Sequence, residues 1–282
     1  MMADQLTKIG RSAIQHGKDN DRVYLIKLAD EDMPELLDRI EALAAENGYG
    51  KIFAKVPVRW MTLFAEAGYT SEALVPFFFG GREDCHFMTR YHDRSRSFEP
   101  EQGKIAAVIG LARQEAAAPQ QPPAGTYEIR RCRPADCTAM AGLFEKVFES
   151  YPFPVHDPSY IDRTMAANVD YFGVWDRKGR LLALASAEQD RSENNVEMTD
   201  FVTVSSHRRQ GLAQLLLEVM EEDMRKRGIA VAYTIARAKS IGINKTFANA
   251  GYIYGGTLIN NTQICGRLES MNVWHKQLNH AA

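Results

Sequence analysis

The stretch Ser205-Ser-His-Arg-Arg-Gln-Gly-Leu-Ala213 joins a predicted strand, residues 196–204, to a predicted helix. The helix is marked by one apolar stripe, formed by Leu212, Leu215, Leu216, Val219 and Met220. A helix N-terminus with free N–H groups, a glycine and neighbouring arginines is typical of an anion site. The alternative is a solvated helix start that binds nothing.

The sequence on either side of this stretch alternates between predicted strands and helices. Strands are predicted at 127–131, 171–175, 181–187, 196–204, 229–235, 252–257 and 271–276. Helices are predicted at 134–148, 212–227 and 242–250. This order indicates an α/β domain with a mixed sheet over residues 126–282.

A linker is predicted at residues 116–125, where alanine, proline and glutamine replace the apolar period. It separates a front part, residues 1–115, from the back part just described. The front part is predicted to contain a strand, a helix, a strand, a second helix and two more strands. The second half of the back part has the same order of elements.

One six-residue pattern ends a predicted helix in both parts. It reads Phe64-Ala-Glu-Ala-Gly-Tyr69 in the front part and Phe247-Ala-Asn-Ala-Gly-Tyr252 in the back part. In each copy we expect the phenylalanine to pack inward, the glycine to end the helix and the tyrosine to begin a strand. Together with the matching order of elements, the repeat favours a duplicated half over a chance match.

The two parts differ at the junction between their strand and their long helix. The front junction reads Ala29-Asp-Glu-Asp-Met-Pro34, and three carboxylates at that position would repel a phosphate. The back junction is basic and contains a glycine. Only the back part is therefore expected to hold a pyrophosphate, and the front part is expected to be degenerate.

Composition argues against several classes of protein. The 34 basic and 36 acidic residues give a net charge of −2, without the basic excess typical of nucleic-acid or anionic-membrane binding. The chain has four cysteines, Cys85, Cys132, Cys137 and Cys265. They form no CxxC pair and predict reduced thiols rather than a metal or disulfide site. Without a signal-like or membrane-spanning apolar run, the chain is predicted to be cytoplasmic.

The order Arg208-x-x-Gly211-x-Ala213, between a strand and an amphipathic helix, resembles the acyl-CoA motif of the GNAT N-acetyltransferases. The helix that ends at Gly251-Tyr252 is also similar to that fold. The resemblance covers residues 126–278 and implies a C-terminal GNAT domain preceded by a degenerate, GNAT-half-like domain. It also implies acetyl-CoA as co-substrate. Cys85, His86 and His92 are too few and too loosely spaced to predict a zinc site, so no metal is expected.

Shorter stretches resemble the bacterial and archaeal β-lysine N-acetyltransferase family over essentially the whole chain. They are Tyr151-Pro-Phe-Pro154 with Asp157-Pro158, Asn260-Asn-Thr262, Glu269-Ser-Met-Asn-Val-Trp274, Ile14-Gln-His-Gly17 and Asp84-Cys-His-Phe-Met88. This resemblance implies acetylation of the ε-amino group of β-lysine, which gives the neutral compatible solute Nε-acetyl-β-lysine. The open alternatives are another amine (lysine, a polyamine, an aminoglycoside or a protein amine) and a non-catalytic acetyl-CoA sensor.

The GNAT resemblance implies three groups of cofactor-binding residues. Those implied for the pyrophosphate are Arg208, Arg209, Gln210, Gly211, Leu212 and Ala213. Those implied for the pantetheine arm are Phe201, Val202, Thr203 and Val204. The last helix adds Asn244 and Phe247.

Acetyl transfer to a lysine-type amine, with a solution pKa near ~10.4, requires removal of a proton. Glu197 lies eleven positions before Arg208, an offset that resembles the general base of some GNAT enzymes. Asp200 is the second candidate, and a bulge in the strand would change the face it takes. Phe247 occupies the slot of the usual proton-donating tyrosine, so the candidate acids are Tyr252 and Tyr233.

β-Lysine carries two ammonium groups and a carboxylate, so its pocket should offer carboxylates and one arginine. Besides Glu197 and Asp200, the candidates are Glu149, Tyr151, Asp157, Asn261 and Glu269. The loop 151–157 is either a lid over the acceptor or a proline-stiffened connection. The front part is expected to close the acceptor pocket or to form a homodimer contact.

Overall fold

The structure, a computed structural model, describes residues 4–114, 125–148, 153–264 and 266–278. Nearly all of the predicted linker lies outside these ranges. The described strands are β1 Gln5–Ile9, β2 Ser12–Gly17, β3 Arg22–Lys27, β4 Lys51–Pro57, β5 Thr70–Phe79, β6 Glu83–Tyr91, β7 Glu128–Arg131, β8 Val169–Trp175, β9 Leu181–Asp190, β10 Asn195–Thr203, β11 Val231–Arg237, β12 Ile253–Ile264 and β13 Arg267–Gln277. The described α-helices are α1 Leu36–Asn47, α2 Val58–Glu66, α3 Gln102–Arg113, α4 Cys137–Val147, α5 Pro158–Ala167, α6 Leu212–Lys226 and α7 Ile241–Asn249.

These strands form one mixed sheet in the order β1-β2-β3-β4-β6-β5-β12-β13-β11-β10-β9-β8-β7. The pairs β3–β4 and β10–β11 are parallel, whereas the other neighbours run antiparallel. The mixed α/β class predicted from the sequence is therefore confirmed.

The sheet has the same arrangement on both sides of its centre, where β5 meets β12. Outward from this point the front strands are β5, β6, β4 and β3, and the back strands are β12, β13, β11 and β10. The helices match as well, because α1 and α2 follow β3 and β4 as α6 and α7 follow β10 and β11. The order of elements predicted for the front part and for the second half of the back part is observed, whereas α5 of the back part was not predicted. Duplication and the domain boundaries stay predictions.

The repeated six-residue pattern forms the same turn in both parts. The phenylalanine is fully buried in each copy, and its carbonyl accepts a hydrogen bond from the tyrosine N–H, at 3.0 Å in the front part and 3.1 Å in the back part. The glycine takes φ of 86° in the first copy and 81° in the second, the left-handed region that glycine favours. Residues 64–69 and 247–252 thus end two helices in one way.

Two further elements of the front part were not predicted from the sequence. The β1–β2 hairpin extends the sheet at its front edge. Helix α3 packs along α7, where Ala112 is buried in the core of the back part and the Arg113 guanidinium lies 5.1 Å from the ring centroid of Tyr254. The front part therefore contributes directly to the packing of the back part.

The two parts also meet through an apolar core and a set of polar contacts. In the core, the rings of Phe78 and Tyr233 lie 5.0 Å apart. The polar contacts, here called the seam, join three buried cations to carbonyls in an irregular stretch of β12. They run from Arg22 to Asn261, from Lys51 to Ile259 at 2.8 Å and from Arg96 to Asn260 at 3.1 Å. Each of these three carbonyls thereby has a donor in a stretch where the strand is irregular.

None of the helices in the described ranges is long and apolar enough to cross a membrane. Cys85, Cys132 and Cys137 are buried free thiols, and Cys265 lies outside the described residues. Within the part of the chain that the structure describes, no three side chains of histidine, cysteine, aspartate or glutamate are placed to hold a metal ion.

Candidate active site

Strands β10 and β11 begin as a parallel pair and then separate. Their register runs from Asn195–Val231 to Glu197–Tyr233, and the strands share no pair beyond that point. A bulge between Thr199 and Val202 on the other edge of β10 puts Asp200 at φ 55°. The separation leaves backbone groups of β10 facing an opening, with Glu197 at its inner end.

The opening leads to the turn before α6. Gly211 caps this helix with φ 75°, and no side chain caps it. The first N–H groups of α6 therefore have no acceptor within the helix, which is the arrangement that binds anions. Arg208, Arg209 and Gln210 are exposed beside them, while buried Leu212 anchors the first turn in the core.

At the equivalent junction of the front part, the protein's own carboxylates accept the available hydrogen bonds. Asp32 accepts hydrogen bonds from the backbone N–H groups of Arg11 and Ser12, at 2.8 and 2.7 Å. Asp30 binds the Arg59 guanidinium at 2.9 Å. These groups hold negative charge where the back part offers free N–H groups, so the front part has no comparable anion site.

Two glutamates face each other across β9 and β10 at the inner end of the opening. Glu197 pairs with Glu188 in the antiparallel register, which brings like charges directly opposite. Burial, and next the Glu188 carboxylate, raise the pKa of Glu197 to about 7, while Lys55 and a hydrogen bond from Tyr233 oppose the rise. Burial also raises the pKa of Glu188, although its side chain stays accessible. An accessible carboxylate surrounded by protein indicates a concave site.

Asp200 and two tyrosines border the glutamate pair. The Asp200 carboxylate accepts a hydrogen bond from the Ser186 hydroxyl at 2.6 Å. Burial is the main cause that raises the pKa of Tyr160 to about 12, with added contributions from Asp200 and Glu188. Tyr171 bonds Thr164 through its hydroxyl at 2.9 Å, and its pKa is raised in the same way. Helix α5 and strand β8 thus contribute one wall of the site.

The front part contributes a cation to this site. Lys55 of β4 donates to the Tyr233 hydroxyl at 3.3 Å. Burial opposes the charge on Lys55, but Tyr24 and Glu197 outweigh it and raise the pKa of Lys55, so the side chain is an ammonium at neutral pH. The site consequently combines carboxylates of the back part with a cation of the front part.

Several known proteins are similar in sequence to this chain over most of its length. The model of the acetyltransferase (GNAT) family matches residues 140–244. A Methanococcus maripaludis protein named beta-lysine N(6)-acetyltransferase is 35% identical over 97% of this chain and 98% of its own length. The chain belongs to the β-lysine N-acetyltransferase family. It is a GNAT N-acetyltransferase, an enzyme that transfers an acetyl group to an amine.

Two more relatives support membership of this family. The beta-lysine N(6)-acetyltransferase of Methanosarcina mazei is 32% identical over 86% of this chain and 97% of its own length. N-acetyltransferase YodP of Bacillus subtilis is 32% identical over 95% of this chain and 96% of its own. Among solved structures, the ribosomal-protein-S18-alanine N-acetyltransferase of Escherichia coli covers 55% of this chain and 96% of its own, with 16% identity and a TM-score of 0.49.

The structure brings some of the predicted residues of this family member together. Glu197, Asp200 and Tyr233 lie close together at the inner end of the opening. Residues 201–204 and 208–213 follow at the end of β10 and in the turn that begins α6. The side chains of Val202 and Leu212 are buried, so these two residues could offer only backbone atoms to a cofactor. Their roles in binding and catalysis stay predictions.

Two other residues that were predicted to bind the cofactor are buried in the protein core. Asn244 is fully buried and donates to the carbonyls of Arg237 and Ser240, while its own oxygen accepts from Asn272 and Trp274. These bonds occupy the whole side-chain amide. A role of Asn244 in cofactor binding stays a prediction. Phe247 is also fully buried, with its ring centroid 5.5 Å from that of Phe201.

Tyr252 lies apart from the glutamate pair. Its ring packs on Phe247 and Lys276, and the nearby Glu221 carboxylate, after burial, raises the pKa of Tyr252 well above its usual range. Tyr252 has 4% of its surface exposed, and its role as a proton donor stays a prediction. Tyr233 is the tyrosine that contacts Glu197.

The predicted substrate residues are spread over several places. Asp157 caps α5 by accepting from the Ser159 N–H at 2.9 Å, and Glu269 binds Arg237 at 2.6 and 2.7 Å. Asn261 is buried at the seam with 1% exposure. These three have structural contacts that do not include the glutamate pair. Glu149, Tyr151 and the start of the predicted lid lie outside the described residues.

Sequence reasoning missed Glu188, Lys55, Tyr160 and Tyr171. The predicted strand 181–187 ended one residue before Glu188, and its register with the strand that carries Glu197 was not predicted. Lys55 gave no comparable signal, because a lysine in a strand is ordinarily a solvated residue.

Proposed function

We propose that this protein transfers the acetyl group of acetyl-CoA to the ε-amino group of β-lysine. The observation that carries the proposal is the position of Glu197, at the point where β10 and β11 separate and opposite Glu188. Three carboxylates gathered there suit an acceptor with two ammonium groups. The two archaeal relatives, which carry this activity in their names, support the choice of substrate.

The residues of the opening fit acetyl-CoA as a co-substrate. The uncapped start of α6, with Gly211 at positive φ and Arg208 and Arg209 beside it, suits a pyrophosphate. The unpaired edge of β10 can pair with the amide groups of a pantetheine arm. When bound, acetyl-CoA supplies an acetyl group activated as a thioester.

Glu197 has the properties of a general base for the acceptor. A lysine-type ammonium has a pKa near ~10.4, so a carboxylate with an ordinary pKa would take its proton poorly. The pKa of about 7 narrows this gap and still leaves Glu197 partly ionised at neutral pH. Glu188 and Asp200 add negative charge that attracts the ammonium group and helps to hold it in the site.

We further propose that the product serves as a compatible solute in the cytoplasm. Acetylation removes one of the two positive charges of β-lysine and leaves one ammonium and one carboxylate. A small molecule without net charge can accumulate with little disturbance of protein electrostatics. The wide family resemblance supports this role.

The test measures free thiol released from acetyl-CoA by the purified protein with β-lysine, α-lysine, spermidine or no acceptor. We expect the fastest release with β-lysine and a product acetylated at the ε-nitrogen by mass spectrometry. Glu197→Gln should lower kcat by on the order of 10²- to 10⁴-fold. Glu218→Gln, on the exposed face of α6, is the matched control. Release only with another amine would contradict the substrate, and no release with any acceptor would contradict catalysis.

A further inference from the structure

The front part places an ammonium group beside the carboxylates of the active site. The Lys55 nitrogen lies 5.6, 5.9 and 5.7 Å from the ring centroids of Tyr24, Phe78 and Tyr233. Its hydrogen-bond partner is the Tyr233 hydroxyl. Among the described residues, no carboxylate oxygen lies within 4.0 Å of this nitrogen. Lys55 is thus a partly buried cation without a counter-ion in direct contact, which is unusual for a lysine in this environment.

Neighbouring cations of the front part already have partners. Lys27 lies 2.9 Å from an Asp190 oxygen and 2.6 Å from the Ser192 hydroxyl. Arg22 donates to the Asn261 carbonyl and to the Thr262 hydroxyl. Among these three described cations of the front part, Lys55 is therefore the one left to bind an anionic group of a ligand.

The charges of the site require such a cation if the acceptor is an amino acid. Glu188, Glu197 and Asp200 attract ammonium groups and repel a carboxylate. We propose that Lys55 binds the carboxylate of the acceptor and so selects an amino acid over an analogue without the carboxylate, such as an amide or a simple diamine. This inference rests on the proposed function and names the residue behind its specificity.

A second role for Lys55 must be separated from this one. The Lys55 charge also acts on Glu197, so its removal could slow proton abstraction from any acceptor. An acceptor pair that differs only in the carboxylate isolates the proposed contact, because both members lose a proton to the same base. β-Lysine and its primary amide, β-lysinamide, form such a pair.

The experiment compares kcat/KM for the two acceptors in the wild type and in Lys55→Met. We expect the wild type to prefer β-lysine by on the order of 10- to 100-fold, the usual effect of a hydrogen bond to a charged group. In Lys55→Met the preference should fall to less than about 3-fold, through a higher KM for β-lysine. Lys55→Arg should keep most of the preference, and Lys27→Met should keep all of it. An unchanged preference in Lys55→Met would overturn the proposal.

Calorimetric binding without acetyl-CoA separates this inference from the proposed function. Wild type that binds β-lysine more tightly than the amide, with the difference lost in Lys55→Met, supports the role of Lys55 even if turnover is absent. Turnover of β-lysine with equal binding of both acceptors would support the function and overturn the role of Lys55. Failure to bind either acceptor would overturn both.

Discussion

The pKa of Glu197 is raised above its usual range by the groups that surround it in the fold. Burial and the Glu188 carboxylate raise its pKa to about 7, and Lys55 and Tyr233 limit the rise. Opposing neighbours of this kind are how enzymes adjust a carboxylate to remove protons near neutral pH. The balance can be shifted in either direction by a single substitution.

The pH profile of kcat/KM for β-lysine should report this balance. Activity should fall as the pH drops through about 7, because Glu197 becomes protonated and can no longer accept a proton. Glu188→Gln removes a like charge, so the pKa of Glu197 should fall and the acidic limb should move to lower pH. Lys55→Met removes an opposite charge and should move the limb to higher pH. Equal limbs in all three proteins would contradict the assignment of Glu197.

The sequence predicted Glu197 but not the residues that adjust it. Glu197 and Arg208 belong to one continuous strand and turn, so their spacing along the chain carries the relation between them. Glu188 acts through the pairing register of two strands, which was not known before the fold. Lys55 reaches the site through the packing of the two parts, because it lies more than a hundred positions away in sequence from Tyr233, which it contacts.

The two otherwise similar halves differ at one short element, the turn at the start of the long helix, which is α6 in the back part. Both halves have a strand, a turn and a long helix, but the front turn is filled by Asp30 and Asp32 with their partners. The back turn leaves its N–H groups without side-chain caps. The difference in charge and capping between the two turns was readable from the sequence, since it depends on local residues and one glycine.

Gly211→Ala should weaken the binding of acetyl-CoA. An alanine at φ 75° costs about 1 kcal/mol, and its methyl group would stand where a ligand approaches the helix start. We expect the KM for acetyl-CoA to rise by on the order of 5- to 10-fold, with the KM for β-lysine unchanged.

Gly228→Ala is the matched control for that substitution. Gly228 lies just past the other end of α6, takes φ 76° and has open space around an added Cβ. It should lose similar stability without a change in either KM. A rise in the acetyl-CoA KM of Gly228→Ala as large as that of Gly211→Ala would show that the effect is only structural.

Helix α3 is a missed element whose packing depends on residues far away in the sequence. The repeated helix-ending pattern was readable because its glycine and aromatic residues act within six positions. The helix α3 follows the front strands in sequence, yet Ala112 packs in the core of the back part. Its partner could not be inferred from its own residues, because an amphipathic stretch does not say which surface covers it.

The two parts form one body because both apolar and polar contacts cross between them. The backbone link is slight, since β5 and β12 share one register pair, Ala73 with Gly256. The seam compensates for this, because Arg22, Lys51 and Arg96 reach the carbonyls of β12. The proposed active site, which uses Lys55 of one part and Glu197 of the other, requires such a rigid connection.

Arg96→Ala should therefore lower the stability of the protein strongly. The buried guanidinium donates to the carbonyl of Asn20 at 2.7 Å, to that of Asn260 at 3.1 Å and to Asp21, and these acceptors would be left without it. We expect the free energy of unfolding, from urea denaturation, to fall by about 3–5 kcal/mol. Arg94→Ala, two residues away and exposed, should change it by less than about 0.5 kcal/mol. Equal stability of the two variants would mean that the seam does not hold the parts together, and the apolar core around Phe78 and Tyr233 would have to do so alone.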